Sequence, residues 1–468
     1  MPEKIMFIAT LALIMAAANM CFADVKPNSL FSDNTVLQRD MQVPVWGTAD
    51  NGERVTVSIA GQSASTVARN GKWMVRLQPM QAGGPYTMVI TGKSTIEIKN
   101  VLVGEVWVCS GQSNMEWPVC WSEGGEEVMK TFTDPQMHIM ETPRIHSETP
   151  LADAGVKWKE ISTESLRWYS GIGFFFGRYL RNALNVPVGL IDASLGGTRI
   201  EAWTRIEALP EDFQKADPYW KPHNQAGVLY NAHIAPVIPF AIRGVIWYQG
   251  ESNAERYTYQ YRELFPGMIK NWREDWGQGD FPFLFVQIAP FGDLVDQPGE
   301  SPWAEIREAQ LLTSESVKNT AMTVITDAGH PKQVHPAQKD IVAQRLSLAA
   351  RAIVYGEKVA YQGPSYRAIS IKGDRAVLEF DNIGSGLLAK DGDLTGFAIC
   401  GDDHKYVNAT ATIQRNKVVV HSPNIAKPIA VRYGWAECPI VNLYNKEGFP
   451  ASPFRTDYFT PGSENSGL

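Results

Sequence analysis

The sequence predicts an α/β protein: a doubly wound, mostly parallel central sheet flanked by an N-terminal and a C-terminal β module. Three observations carry this reading. Between about residues 101 and 358, short apolar runs alternate with helix-length segments, the pattern of strands joined by crossover helices. On either side, short strands are separated by turn signals such as Asn51-Gly52, Asn70-Gly71 and Asp391-Gly392, as in small antiparallel modules. Within the middle segment, several apolar runs end in small or polar residues, and in open α/β sheets ligands sit beyond the carboxyl ends of strands.

The 468 residues suffice for two or three domains, and the formal charge of −7 leaves no basic footprint for nucleic acid or an anionic membrane. Residues 1–23 read as a signal peptide: Lys4, an apolar run from Ile5 to Ala18 too short to span a bilayer, and Ala23 before the break. The mature chain is therefore expected to be exported, periplasmic or secreted, with no membrane segment. After Cys21, Cys109, Cys120, Cys400 and Cys438 remain; no Cys-x-x-Cys or His-Glu-x-x-His spacing points to a metal, and no cofactor is expected.

In chain order, residues 24–100 read as a β-sandwich-like module with strands near 43–47, 54–59, 72–77 and 86–90. The 101–358 segment opens on a buried strand from Val101 to Cys109. Helices are expected over 174–184, 257–276, 304–312 and 336–352, and further strands over 186–191, 283–288 and 322–325. Ser301-Pro302 and Pro336 are the start signals of the last two helices. Residues 359–460 return to short strands, near 368–371, 376–380, 397–399, 417–421 and 429–433. The polar tail 461–468 carries no pattern.

Chemistry is expected at four strand ends. The first strand stops in the 110–114 run Ser-Gly-Gln-Ser-Asn, which puts Ser113 where a nucleophile would stand, although Met115 replaces the second glycine of a nucleophile elbow. The next feeds Gly196-Gly197, a source of backbone N–H donors for an oxyanion. A third, 245–248, runs into Gln249 and Asn253, two candidate amide donors. The fourth precedes a loop with Asp327, His330 and His335, either histidine being a candidate base for a serine at a neighbouring strand end.

With these motifs assembled, the chain resembles the sialate O-acetylesterases of the SGNH hydrolase superfamily. The resemblance runs along the mature chain and includes the 111–115 run Gly-Gln-Ser-Asn-Met, the 196–203 run Gly-Gly-Thr-Arg-Ile-Glu-Ala-Trp, the 244–254 run around Gln249, His335-Pro336 and the 443–448 run Leu-Tyr-Asn-Lys-Glu-Gly. It implies an SGNH-type sheet, a carboxylic ester hydrolase and an acyl-enzyme on Ser113 with His335 as base. The oxyanion donors would come from Ser113, Gly196 or Gly197, and Gln249 or Asn253. Arg199, Trp203 and Glu251, inside the same motifs, are expected to meet substrate. The superfamily places an aspartate three residues before the base, but Lys332 stands there; Asp327 or Gln333 remains as a possible orienting group, with a Ser-His dyad otherwise. The expected substrate is O-acetylated sialic acid or another acetylated glycan. An acetyl esterase for xylan or another plant polysaccharide is the alternative, and an inactive secreted glycan-binding protein the alternative of another class.

Overall fold

The computed structural model describes residues 24–464, so the expected leader and the last four residues of the tail lie outside it. Its backbone is organised by one long strand, Thr95–Gly111, whose last eleven residues are all buried. The first half of this strand pairs antiparallel with Gly83–Thr91, and the second half lies parallel to Val188–Ser194 on one side and Gly244–Tyr248 on the other. The boundary expected between residues 100 and 101 therefore falls inside a continuous strand.

Across the central sheet the order is Lys159–Glu160, Met137–Glu141, Val188–Ser194, Thr95–Gly111, Gly244–Tyr248, Phe283–Val286, Thr320–Thr323. All neighbours are parallel except the two-residue edge strand Lys159–Glu160. Val188–Ser194 and Gly244–Tyr248 are buried along their whole length, as parallel strands covered by helices must be. The long strand comes first in the chain yet sits between strands that come later. That reversal of strand order opens a crevice at its carboxyl end.

Helices Gly171–Leu184 and Lys339–Ile353 pack together, as do Tyr261–Trp276 and Pro302–Ser316. Asn185 and Gly277, with φ of 51° and 65°, cap the first and third of these in the left-handed region. Ser301 caps Pro302–Ser316, its side chain accepting from the Ala304 N–H at 3.2 Å. The last helix begins at Lys339, three residues later than Pro336 suggests, because the Ala337 carbonyl accepts from the Glu123 N–H (2.8 Å) and residues 336–338 turn aside. One hydrophobic core runs without a break from Val25 to Ala350 and so unites the N-terminal β layer with the α/β sheet. The C-terminal strands close around a second core that includes Leu378, Ile399, Val420 and Tyr433. Cys109, Cys120, Cys400 and Cys438 are free thiols.

Candidate active site

The crevice is shaped by Gly111, at the end of the long strand. Its φ is 136°, and a Cβ there would lie 2.1 Å from the Tyr248 carbonyl oxygen, so only glycine permits the strands to approach this closely. Gln112 then fastens the turn to the neighbouring strand: its N–H donates to the Tyr248 carbonyl at 2.9 Å, and its Oε1 accepts from the Ser252 N–H at 3.2 Å. Ser113 follows, opening the short helix Ser113–Glu116, which is closed by N–H groups of Met115 and Glu116 donating to the Gln112 carbonyl.

Ser113 Oγ lies 2.7 Å from His335 Nε2, although 222 residues separate them in the chain. The imidazole stacks on the Trp117 ring, with centroids 5.1 Å apart and planes inclined by 28°. Burial, and then the charge of Lys339, hold the His335 pKa below its ordinary value.

Among the described residues no carboxylate bonds to His335. Asp327, one expected orienting group, is held instead by Arg345 of the last helix, with two hydrogen bonds of 2.7 Å. Burial alone would raise the Asp327 pKa, but these bonds and the guanidinium charge bring it below the usual value. Gln333, the other candidate, is exposed, and its N–H donates to the His330 carbonyl at 3.2 Å. His330 is also exposed.

The loop carrying His335 is tied down by Asn114. Its Nδ2 donates to the Val334 carbonyl at 2.9 Å and to Glu251 Oε1 at 2.5 Å, while its Oδ1 accepts from Lys339 Nζ at 2.6 Å. Lys339 is fully buried, and burial pushes its pKa down to about 7 against the pull of Glu251. Burial raises Glu251 in turn, against the Asn114 hydrogen bond. Sequence reading assigned roles to neither Asn114 nor Lys339. Both were within reach of it: Asn114 follows Ser113, and Lys339 stands four residues after His335.

The strand-end glycines reach the same crevice. A Cβ on Gly196 would lie 3.3 Å from Ser113 Cβ, and the Gly196 N–H donates to Glu116 Oε2 at 2.6 Å. Gly197, with φ of 69°, is exposed. The two amides lie in a buried network: Gln249 Nε2 donates to the Thr198 carbonyl (3.1 Å) and to Asn253 Oδ1 (2.7 Å), and Asn253 Nδ2 donates to Glu201 Oε2 (3.1 Å). Both Gln249 N–H groups are thus engaged away from Ser113.

The three expected substrate contacts divide. Trp203 is fully buried, with its indole N–H on Thr198 Oγ1 at 2.9 Å and its ring edge-on to Trp247; it packs the core and offers substrate no surface. Glu251 is buried beneath Asn114. Arg199 is mostly buried, its guanidinium over the Trp220 ring at 5.1 Å.

Comparison with known proteins agrees with this architecture. A family model described as carbohydrate esterase, sialic acid-specific acetylesterase, matches residues 103–346. The sialate O-acetylesterase of Homo sapiens is 30% identical over 483 residues, covering 91% of each chain, and that of Mus musculus is 29% identical over 506 residues, covering 91% of this chain and 93% of its own. Among solved structures, a carbohydrate acetylesterase from Xanthomonas citri superposes with a TM-score of 0.88 at 39% identity, covering 93% of this chain and all of that one. The chain therefore belongs to the sialic acid-specific acetylesterase family of carbohydrate esterases, and it is a carboxylic ester hydrolase.

Proposed function

We propose that the protein is an exported serine esterase that removes O-acetyl groups from sialic acid, with Ser113 as nucleophile and His335 as base. The observation that carries the mechanism is the 2.7 Å contact between Ser113 Oγ and His335 Nε2, within the range a general base needs. Family membership supports the substrate, and the leader-like residues 1–23 support export.

In this scheme Nε2 takes the hydroxyl proton as Oγ attacks the acetyl carbonyl carbon. The resulting oxyanion is met by the Ser113 N–H and by a glycine N–H at 196 or 197. Collapse breaks the bond to the sugar oxygen, which leaves with the proton from the imidazolium. Water then gives a proton to Nε2 and its oxygen to the acetyl carbon; acetate departs, and Oγ recovers the proton. Among the described residues no carboxylate is hydrogen-bonded to the imidazole, so its geometry rests on the Trp117 stack and on the Asn114 bond to Val334. A sugar alkoxide leaves more readily than an amide nitrogen, which lightens the demand on the base.

The likeness to the Xanthomonas citri carbohydrate acetylesterase supports an acetylated carbohydrate as substrate without naming the sugar, and deacetylation of plant polysaccharide is the second reading. Acetate release from O-acetylated sialic acid compared with acetylated xylan separates the two. Ser113→Ala should lower kcat on the better substrate by several orders of magnitude with the fold intact. Near-normal turnover by that variant would overturn the assignment of the nucleophile.

A further inference from the structure

The wall behind the His335 imidazole does not end at Trp117. The Trp121 ring meets Trp117 with centroids 5.2 Å apart, and Trp168 meets Trp121 at 5.6 Å with the planes nearly perpendicular. Three indoles thus descend in steps from the Ser113–His335 pair to the surface. Trp117 is half-buried, whereas Trp121 is 55% and Trp168 52% exposed. Among the described residues no other tryptophan is as exposed as these two. Leaving half of two indoles in water gives up hydrophobic stabilisation that burial would bring, and contiguous exposed apolar surface marks a contact site.

The exposure is not the result of a loose backbone. The Val119 N–H donates to the Tyr169 carbonyl at 2.9 Å, and the Gly171 N–H to the Trp117 carbonyl at 2.8 Å. The segment bearing Trp117 and Trp121 is therefore laced to the segment bearing Trp168. The rings are held before any ligand arrives, which reduces the ordering cost of binding.

The occupant follows from continuity and chemistry. The first step of the staircase is the wall of the acyl-transfer crevice, so a molecule lying along it must be continuous with the group that carries the ester. Under the proposed reaction that group is a sugar. A pyranose presents axial C–H bonds on one face, which suit an indole face, and hydroxyls around its rim. The Arg167 guanidinium beside the Trp168 ring, at 5.7 Å, supplies a donor for hydroxyl or carboxylate oxygens there. Separate rings set at angles, with a cation at the far end, fit successive sugar units better than a flat protein or lipid surface.

We propose that Trp121 and Trp168 form a stacking platform for the sugar units next to the acetylated residue, so that the enzyme takes acetylated oligosaccharide chains in preference to a lone acetylated sugar. The proposal rests on the esterase reading of Ser113 and adds the form of the substrate to it.

The test is a comparison of KM for an O-acetylated oligosaccharide with KM for 4-nitrophenyl acetate, in wild type, Trp121→Ala, Trp168→Ala and the double variant. The ratio of the two values should rise about 3- to 10-fold for each indole removed, the range of a single aromatic contact. Trp121→Phe and Trp168→Phe should recover much of the loss, which separates stacking from damage to the fold. An unchanged ratio in a folded double variant overturns the platform. Binding of the deacetylated oligosaccharide, followed by calorimetry on Ser113→Ala with and without the two indoles, reads the platform independently of catalysis. Should wild type hydrolyse no acetate ester, the esterase reading fails, and the calorimetric comparison still decides the platform: weaker binding without the indoles supports it, and equal binding overturns it.

Discussion

Lys339 Nζ donates a 2.6 Å hydrogen bond to Asn114 Oδ1, and both residues are fully buried. Lys339 belongs to the helix that follows the His335 loop, and Asn114 to the turn that presents Ser113. The bond therefore joins the two halves of the reactive pair from below. The same amide reaches the Val334 carbonyl and the Glu251 carboxylate, so one side chain fixes the position of the loop and the partners of a buried ion. Glu251 Oε2 is buried without a hydrogen-bond partner, so the network is only partly satisfied and losing a further bond from it is costly.

Asn114→Ala should consequently reduce turnover as well as stability. It leaves the Val334 carbonyl, Glu251 and Lys339 each short of a partner, at about 1–3 kcal/mol per buried unsatisfied group. With the loop released, kcat is expected to fall about 10- to 100-fold, equivalent to roughly 1.4–2.7 kcal/mol of barrier. Steady-state kinetics together with a melting curve check this. A variant that melts early yet turns over normally would show that the clamp supports the fold but not the base.

The pH profile offers a second prediction. His335 must be neutral to accept the Ser113 proton, so activity is lost as pH falls through its pKa. Burial and Lys339 depress that pKa, and the acid limb of kcat/KM should therefore lie below the ordinary histidine value of about 6.5. Lys339 itself is pushed down to about 7, so it carries its charge in the range where His335 titrates. Lys339→Met removes that charge, leaving Glu251, Tyr248, Trp117 and Asn114 around the gap. The acid limb should then move to higher pH. A limb that stays in place would mean that burial alone sets the base.

Much of this was legible in the sequence because strand ends announce themselves. The apolar run before Ser113 and the Gly196-Gly197 pair fall where parallel strands stop, and continuous apolar runs of this kind mark strands covered on both faces. What was not legible depends on choices between partners that are distant in the chain. Asp327 stands three residues before His330 and could have oriented a base, but Arg345, eighteen residues on, takes both carboxylate oxygens. Gln249 looked like a donor aimed at substrate, yet Thr198 and Asn253 absorb its N–H groups. Trp203 lies in a motif with polar neighbours and nonetheless packs against Trp247. A local pattern specifies the strand and its turn; the third dimension decides which polar neighbour claims a side chain.

The last prediction concerns the carboxylate lodged beside the nucleophile. Glu116 Oε2 accepts the Gly196 N–H at 2.6 Å, and Glu116 Oε1 pairs with Arg144 Nε at 3.1 Å. If the Gly196 N–H is to serve a developing oxyanion, that oxygen must compete with a carboxylate for it. A second negative charge about 4 Å from the oxyanion opposes it by about 4 kcal/mol at an effective dielectric of 20, and a counter-cation reduces this. Arg144, whose side chain is 61% exposed, is that cation and can draw the carboxylate outward. Glu116→Gln weakens the competing bond, since charge-assisted hydrogen bonds are roughly twice as strong as neutral ones, and kcat on a chromogenic acetate should rise about 3- to 10-fold. Arg144→Ala should lower kcat, because the carboxylate then keeps its charge next to the reaction with nothing to offset it. In the double variant the loss caused by Arg144→Ala should largely disappear, because there is no longer a charge to offset. If Glu116→Gln instead abolishes turnover as Ser113→Ala does, the carboxylate takes part in the reaction directly, and the Gly196 N–H is not an oxyanion donor held in check.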